Sequence, residues 1–177
     1  SSTFSTTSLT DGQTITCSVT ATASCPVINA YTLGTGTTVN TTNTSTSSQG
    51  AAYPAYYGNG RQQYLIRASE LTALGMTAGP IQSIAFNVTG AAGNPSTLNN
   101  YTIRMGSTTS TTSTTTFNTA TLTTVFGPQN YTPSLGSWNI HSFTSPYSWN
   151  GTSNLLIEIT YDNYDASTDN VIAADTL

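Results

Sequence analysis

The chain of 177 residues has seven acidic residues, three basic residues, no lysine and a formal net charge of −4. Phosphate groups attract clustered Lys and Arg, so this balance argues against a nucleic-acid partner and against docking on anionic lipid. Ser and Thr account for 60 residues, whereas charged residues make up 6% of the chain, against about 25% in average soluble domains. The composition, with no apolar stretch near the roughly 20 residues of a membrane span, indicates an extracellular protein that does not insert into a membrane.

The N-terminal segment contains both cysteines of the chain, Cys17 and Cys25, after an Asp11-Gly12 turn. A tight loop or hairpin brings a pair so spaced within disulfide range if the two Cβ vectors face each other. Cysteine pairs in extracytoplasmic proteins are more often bridged than free. We therefore predict a Cys17–Cys25 disulfide, with two buried thiols as the alternative.

Two tracts of low complexity, residues 37–48 and 107–116, are rich in Thr and Ser. The first tract predicts a flexible linker. The second lies between two predicted strands, so a long hairpin loop is the better interpretation. Because Thr favours extended backbone, either tract can instead form an ordered edge strand.

Aromatic and amide side chains cluster in the segment YPAYYGNGRQQY, residues 53–64. Sugar rings are commonly held by aromatic faces that stack on CH groups and by amides that hydrogen-bond to hydroxyls. The segment predicts either a ligand surface or a Tyr-rich loop that covers one end of the fold. The candidate ligand residues are Tyr53, Tyr56, Tyr57, Arg61 and Tyr64.

One short helix is predicted in the segment RASELTALGM, residues 67–76. Ser69 precedes the first helical residues and is the predicted N-cap. Glu70 suits the positive end of the helix dipole, and Gly75 suits a left-handed stop.

The other predicted elements are β-strands, because β-branched and aromatic residues alternate with polar ones between turn residues. Such strands bury one face in a core and expose the other to water. The pattern predicts an all-β fold, an antiparallel and jelly-roll-like β-sandwich with one short helix. The clearest apolar faces are Ile84, Phe86 and Val88; Tyr101, Ile103 and Met105; and Leu155, Ile157, Ile159 and Tyr161.

Two tryptophans lie beside turn signals. Trp149 comes directly before Asn150-Gly151, and Trp138 follows Gly136-Ser137 at the start of a predicted strand. A tryptophan buries a large area and can anchor a corner of a sandwich. We predict that both side chains pack in the structure, with ligand stacking as the alternative.

Catalytic chemistry has little support in the sequence. His141 is the one histidine, it lies mid-strand in WNIHSF, and no GxSxG nucleophile elbow is present. Glu158 alternates with apolar neighbours, so we expect it to face water or a groove. A glycosidase needs two carboxyl groups that flank a cleft, and Glu158 with Asp162 is the best available pair. We predict that the protein is not an enzyme.

Acidic and amide side chains follow the last predicted strand. Their oxygens are ligands that calcium prefers, although their spacing does not match an EF-hand loop. The segment predicts a solvated loop, with a calcium site as the alternative and Ca²⁺ as the one cofactor considered. The candidate ligands are Asp162, Asn163, Asp165 and Asp169.

Several long stretches resemble modules of very large secreted surface proteins of Bacteroidota, including adhesion and gliding proteins exported by the type IX secretion system. LTDGQTITCSVTATASC resembles the last strands of their immunoglobulin-like repeats. Three further segments resemble a second module of the same proteins: RQQYLIRASELTALGMTAGPIQSIAFNV, YTIRMGSTT and GSWNIHSFTSPYSWNGTSNLLIEITYDN. The resemblance implies that residues 1–29 are C-terminal strands of an immunoglobulin-like repeat with a junction. Residues 30–177 would be a jelly-roll-like sandwich module, incomplete at its C-terminal end or completed by a neighbour.

The same resemblance implies a non-catalytic module of a large cell-surface adhesin or surface filament, which acts in display, spacing and multivalent adhesion. The alternative is a carbohydrate-binding module that targets an attached enzyme to polysaccharide. Expected partners are neighbouring repeats of the same polypeptide, surface polysaccharide or other copies of the protein. The O-glycosylation pattern of these bacteria, Asp followed by Ser or Thr and a small or aliphatic residue, makes Thr176 a candidate acceptor.

Overall fold

The computed structural model describes residues 29–33, 52, 53, 59–88 and 97–163. The chain divides into two units, Ser1–Ala30 and Tyr31–Leu177, and the described helix and strands all belong to the second. This boundary lies one residue from the predicted one. The assignment of the first unit to an immunoglobulin-like repeat stays a prediction, because residues 1–28 lie outside the described ones.

The described part of the second unit forms two antiparallel sheets and one short helix. In chain order the elements are β1 (Asn59–Ile66), α1 (Ala68–Ala73), β2 (Gly79–Val88), β3 (Leu98–Thr108), β4 (Thr123–Tyr131), β5 (Ser137–Trp149) and β6 (Asn154–Asp162). One sheet has the strand order β1-β6-β3-β4, and the other pairs β2 with β5. Every pairing is antiparallel. The predicted all-β sandwich with one short helix is confirmed, while its jelly-roll connectivity stays a prediction.

The core lies on the inner face of the four-stranded sheet and follows the predicted alternation. Strand β6 lies between β1 and β3, so both of its edges are paired within the sheet. Each fully buried aliphatic side chain contributes about 1.5–3 kcal/mol relative to an exposed one, so β6 and β3 together supply a large part of the core. Their side chains in the core cluster are Leu155, Ile157, Ile159 and Tyr161 of β6, and Leu98, Tyr101, Ile103 and Met105 of β3.

Helix α1 forms where the sequence predicts it, between β1 and β2. Glu70 Oε2 accepts a hydrogen bond from the Arg67 backbone N–H at 2.7 Å, which confirms the role of Glu70 at the helix N-terminus. Gly75 has φ of +86° and ends the helix as predicted. The predicted cap was wrong, because Arg67 has the extended backbone of the N-cap and Ser69 lies inside the first turn. No helix among the described residues is long and apolar enough to cross a membrane.

The corner between β5 and β6 joins the two sheets. Trp149 is buried, and its indole N–H donates to the Ser153 backbone carbonyl at 2.8 Å, which confirms the packing prediction for this tryptophan. Asn150 Oδ1 accepts hydrogen bonds from the backbone N–H groups of Thr152 and Ser153. Gly151 has φ of +82°, a left-handed conformation that other residues rarely adopt. The Asn-Gly pair therefore turns the chain from one sheet to the other.

The connection between β3 and β4, residues 109–122, covers part of the outer face of the four-stranded sheet. The backbone of Asn118 exchanges two hydrogen bonds with the Gln63 amide, at 2.7 and 3.1 Å. The Arg61 guanidinium lies 4.4 Å from the centroid of the Phe117 ring. Since β3 and β4 pair with each other, the tract 107–116 lies at the end of a hairpin, as predicted.

Candidate functional site

The predicted tyrosine-rich ligand surface does not form as one surface. Tyr53 is fully buried in the core, where a sugar cannot reach it. On β1, Tyr64 packs against the core, while Arg61 pairs with Glu158 instead of facing a common site with Tyr64. Tyr56 and Tyr57 lie outside the described residues, so their part in ligand binding stays a prediction.

Glu158 is buried in the four-stranded sheet, so the expectation that it faces water or a groove was wrong. One carboxylate oxygen lies 2.7 Å from Arg61 Nη2, and the other lies 3.0 Å from Arg104 Nη1. Gln63 Nε2 donates a further hydrogen bond at 2.9 Å. The sequence shows the charges of these residues but not that their three strands are neighbours.

The environment of Glu158 keeps its carboxyl group charged. Burial alone raises the pKa, because it removes the charged form from water. The hydrogen bonds from Gln63, Arg61 and Arg104 outweigh that effect, so the pKa lies below its usual value. A carboxylate held in this way stabilises the sheet and lacks the raised pKa of a general acid.

The candidate calcium ligands are only partly described. Asn163 Oδ1 accepts from the Asn99 backbone N–H at 2.6 Å, and its Nδ2 donates to the Thr97 carbonyl at 2.9 Å. Its amide therefore holds the start of β3. Asp162 is exposed at the end of β6, and Asp165 and Asp169 lie outside the described residues. The calcium site stays a prediction.

Three further predicted positions also lie outside the described residues. They are Cys17 and Cys25, for which a disulfide was predicted, and Thr176, the candidate glycosylation site. Among the residues that the structure describes, no group of three or more His, Cys, Asp or Glu side chains is placed to hold a metal ion.

His141 lies mid-strand on β5 as predicted, and its side chain is fully buried in the core. Its Nε2 lies 2.7 Å from the Tyr53 hydroxyl, while Nδ1 has no hydrogen-bond partner in the described structure. Burial lowers the pKa of His141 to about 4, so the imidazole is neutral at neutral pH. Aromatic rings surround it, with centroid distances between 4.5 and 6.1 Å: Tyr53, Phe86, Tyr101, Phe126 and Tyr131.

Asn139, two residues before His141, is also buried and closes the connection between β4 and β5. Its Oδ1 accepts from the Tyr131 hydroxyl at 2.9 Å and from the Ser134 backbone N–H at 2.7 Å. Its Nδ2 donates to the carbonyls of Ser134 and Ser137, at 2.9 and 3.1 Å. The buried amide is therefore satisfied by partners within eight residues of it.

Strand β5 thus has its polar residues inside and its apolar residues outside over residues 138–141. Trp138 is 51% exposed and Ile140 is 64% exposed, while Asn139 and His141 are buried. The packing prediction for Trp138 was wrong. The usual alternation of a half-buried strand is reversed here.

The exposed side chains of β5 form a continuous face with those of β2. Residues directly opposite each other in an antiparallel pair have neighbouring side chains on one side of the sheet. The register pairs Trp138 with Asn87, Ile140 with Ala85 and Ser142 with Ser83. We call these six residues the Trp138 face. All six are uncharged, and all are exposed except Ala85, which is half-buried.

The Trp138 face exposes two large apolar side chains two residues apart on one strand. Isolated apolar residues are common on protein surfaces, whereas two adjacent ones on one face mark a candidate contact site. The turn before Trp138 predicts packing for its side chain, with ligand stacking as the alternative. The alternation of the apolar residues 138 and 140 with the polar residues 139 and 141 shows two faces, but it does not show which face lies inside.

No protein family, curated protein or solved structure matches this chain in the comparisons with known proteins.

Proposed function

We propose that this protein is a non-catalytic, extracellular β module of a large cell-surface adhesin or surface filament. It displays and spaces its neighbours and makes weak contacts that act together along the parent molecule. Its partners are neighbouring repeats of the same polypeptide, surface polysaccharide or other copies of itself. The observation that carries this proposal is the Trp138 face, with a half-exposed Trp138 beside an exposed Ile140.

The reversed alternation on β5 supports a contact role. Burying a large apolar side chain is worth about 1.5–3 kcal/mol, so Trp138 and Ile140 contribute less to the stability of the fold at their exposed positions than they would in its core. Natural sequences depart from such local rules mainly at functional sites. A contact surface gives these side chains a use outside the core.

The residues weighed for catalysis support a non-catalytic role. Glu158 is held as a charged group by Arg61, Arg104 and Gln63. His141 is enclosed in the core with Nε2 directed at Tyr53, away from solvent. Neither group lies where it could exchange a proton with a substrate on the surface.

The extracellular location rests on composition and on the resemblance to Bacteroidota surface modules. The chain has 6% charged residues and 60 Ser and Thr, a composition far from that of average soluble domains, which supports this location. A jelly-roll-like connectivity and a preceding immunoglobulin-like repeat belong to the same proposal.

The second candidate function is a carbohydrate-binding module that targets an attached enzyme to polysaccharide. The half-exposed indole of Trp138 favours it, because aromatic faces stack on the CH groups of sugars. This function requires one defined glycan ligand, whereas the adhesin module works through many weak contacts.

Affinity measured with one copy and with many copies separates the two functions. For an adhesin module, the single chain should bind polysaccharide or cells more weakly than roughly 0.1 mM, the range in which linked copies gain most. Chains displayed in multiple copies on beads should then bind cells or polysaccharide measurably. A micromolar or tighter complex of the single chain with one glycan on an array would favour the carbohydrate-binding module. Beads that bind neither cells nor glycans would contradict both functions.

A further inference from the structure

We propose that the Trp138 face binds a neutral polysaccharide chain, with one sugar ring stacked on the indole of Trp138. This inference rests on the proposed function, since it requires a binding module, and it names the site and the chemical class of the ligand. Trp138 supplies the platform and Ile140 extends it along β5.

The exposed apolar area suits a narrow ligand better than a protein. From the exposed fractions of 51% for Trp138 and 64% for Ile140, the two side chains offer on the order of 200 Å². A stable protein–protein interface buries about 800 Å² on each partner. A second copy of this chain would need far more apolar surface than these residues provide, whereas a sugar chain needs only a platform for its rings.

The charge of the face points to a neutral sugar. None of its six residues is charged, and the arginines Arg61, Arg67 and Arg104 belong to β1, to the start of α1 and to β3. A uronate or a sulfated sugar would find no cation on the two-stranded sheet. Neutral sugars instead present CH faces and hydroxyls, which match an apolar platform edged by uncharged polar groups.

The polar edge of the face can hold sugar hydroxyls. Asn87 lies opposite Trp138, and Ser83 lies opposite Ser142. An amide offers donors and an acceptor, and each hydroxyl offers both. No described residue hydrogen-bonds to these three side chains, so their groups are available to a ligand. From Trp138 to Ser142 the strand extends about 13 Å, which gives room for more than one sugar ring.

The test uses the 177-residue chain in native gels that contain one polysaccharide each. The neutral polymers are hydroxyethylcellulose, arabinoxylan, galactomannan and starch, and polygalacturonate is the anionic counterpart. Trp138→Ala removes the platform. Phe117→Ala is the matched control, because Phe117 is 46% exposed on the loop over the other sheet. Iodide quenching of tryptophan fluorescence reports binding directly, since Trp138 is exposed and Trp149 is buried.

We expect at least one neutral polymer to retard the chain and to protect its tryptophan fluorescence from iodide. Trp138→Ala should weaken that retardation at least about tenfold, the effect of losing about 1.4 kcal/mol, while Phe117→Ala retains it. Equal retardation of Trp138→Ala and the unaltered chain would overturn the proposal, as would a preference for polygalacturonate.

Multiple copies of the chain on beads distinguish failure of this inference from failure of the proposed function. Beads that bind cells but none of the four neutral polymers would overturn the neutral-sugar ligand and leave the adhesin module standing. Beads that bind neither would overturn both.

Discussion

Strands β6 and β5 come from similar alternating sequences, yet they place their side chains by opposite rules. In β6 the apolar residues Leu155, Ile157 and Ile159 face the core, as hydrophobic burial dictates. In β5 the polar residues Asn139 and His141 face the core, and Trp138 and Ile140 face solvent. Hydrogen bonds of buried polar side chains can therefore determine which face of a strand is buried, even where this leaves large apolar side chains exposed.

The free energies of apolar burial and of hydrogen bonding explain why β5 tolerates its exposed apolar face. Burying Trp138 and Ile140 would gain about 1.5–3 kcal/mol each. Asn139 makes four hydrogen bonds, and His141 makes one to Tyr53. Each hydrogen bond contributes about 0.5–1.5 kcal/mol. The five hydrogen bonds of Asn139 and His141 therefore stabilise the fold about as much as burial of Trp138 and Ile140 would. A one-residue slip would exchange the two faces and would also turn the buried Trp149 outward, so the inward side chains of β5 hold it in its native register.

The buried ionisable groups of the two strands differ in the same way. Glu158 of β6 stays charged, because two guanidinium groups and an amide surround it. His141 of β5 stays neutral, because burial among aromatic rings lowers the pKa of its imidazole to about 4. Acid therefore acts on the two strands in different ways, by neutralising the ion-paired carboxylate of Glu158 and by charging the buried imidazole of His141.

The largest expected effect is that of Trp149→Ala, at the end of β5 where the tryptophan faces inward. Losing this buried side chain and its hydrogen bond to Ser153 should lower the free energy of unfolding by about 3–5 kcal/mol. Equilibrium unfolding in urea measures it. An unchanged midpoint would mean that Trp149 is exposed and would revive its role as a binding platform.

Acid should weaken the fold through His141. The unfolded state has the ordinary pKa near 6.5, and burial lowers the folded pKa to about 4, so between these values the unfolded state binds more protons. The stability that the neutral His141 provides is complete above pH 6.5 and falls by about 3 kcal/mol as the pH drops to 4. Urea unfolding across this range measures the slope.

The control for the acid effect is His141→Gln, which keeps a polar side chain without the titration. Its unfolding free energy should depend less steeply on pH between 4 and 6.5. Glu158 is present in both proteins, and its lowered pKa means that its stabilisation is also lost on acidification, by the same amount in each. An identical slope in the two proteins would show that His141 is not the group that titrates.

Asn139→Ala should cause the next largest loss of stability, because it removes hydrogen bonds that hold β5 in its reversed orientation. The change leaves the Ser134 N–H and the Tyr131 hydroxyl without their acceptor, at a cost of about 2–3 kcal/mol. Asn87→Ala, at an exposed position of the opposite strand, is the matched control and should change stability by less than about 0.5 kcal/mol. Equal losses in both variants would contradict the structural role of Asn139.

The smallest expected effect on stability is that of Trp138→Ala. Because this side chain is half-exposed, its loss should lower the unfolding free energy measured in urea by only about 1 kcal/mol. Set beside Trp149→Ala, it compares two tryptophans of one strand on opposite faces. A loss near that of Trp149→Ala would mean that Trp138 packs in the core after all.

Local patterns predicted much of the fold. The inward positions of β3 and β6, the helix that Gly75 ends and the buried Trp149 before the Asn-Gly turn all follow from residues close in sequence. Their physical basis is short-range, because alternation, helix dipole and left-handed backbone act within one element. The candidate site was predicted less well, since Trp138 was assigned to packing and Tyr53 to a surface.

Local sequence patterns are enough to predict an all-β, charge-poor protein whose strands have definite apolar faces, with one short helix. The contacts of Arg61 and Arg104 with Glu158 depend on the arrangement of the strands, because β1 and β3 flank β6 from distant parts of the chain. The packing of the two sheets also turns Asn139 and His141 inward, and Trp138 therefore lies outside. The physical reason is that a buried polar group takes its position from partners on other elements, such as Tyr53 and Tyr131, which no pattern within one strand contains.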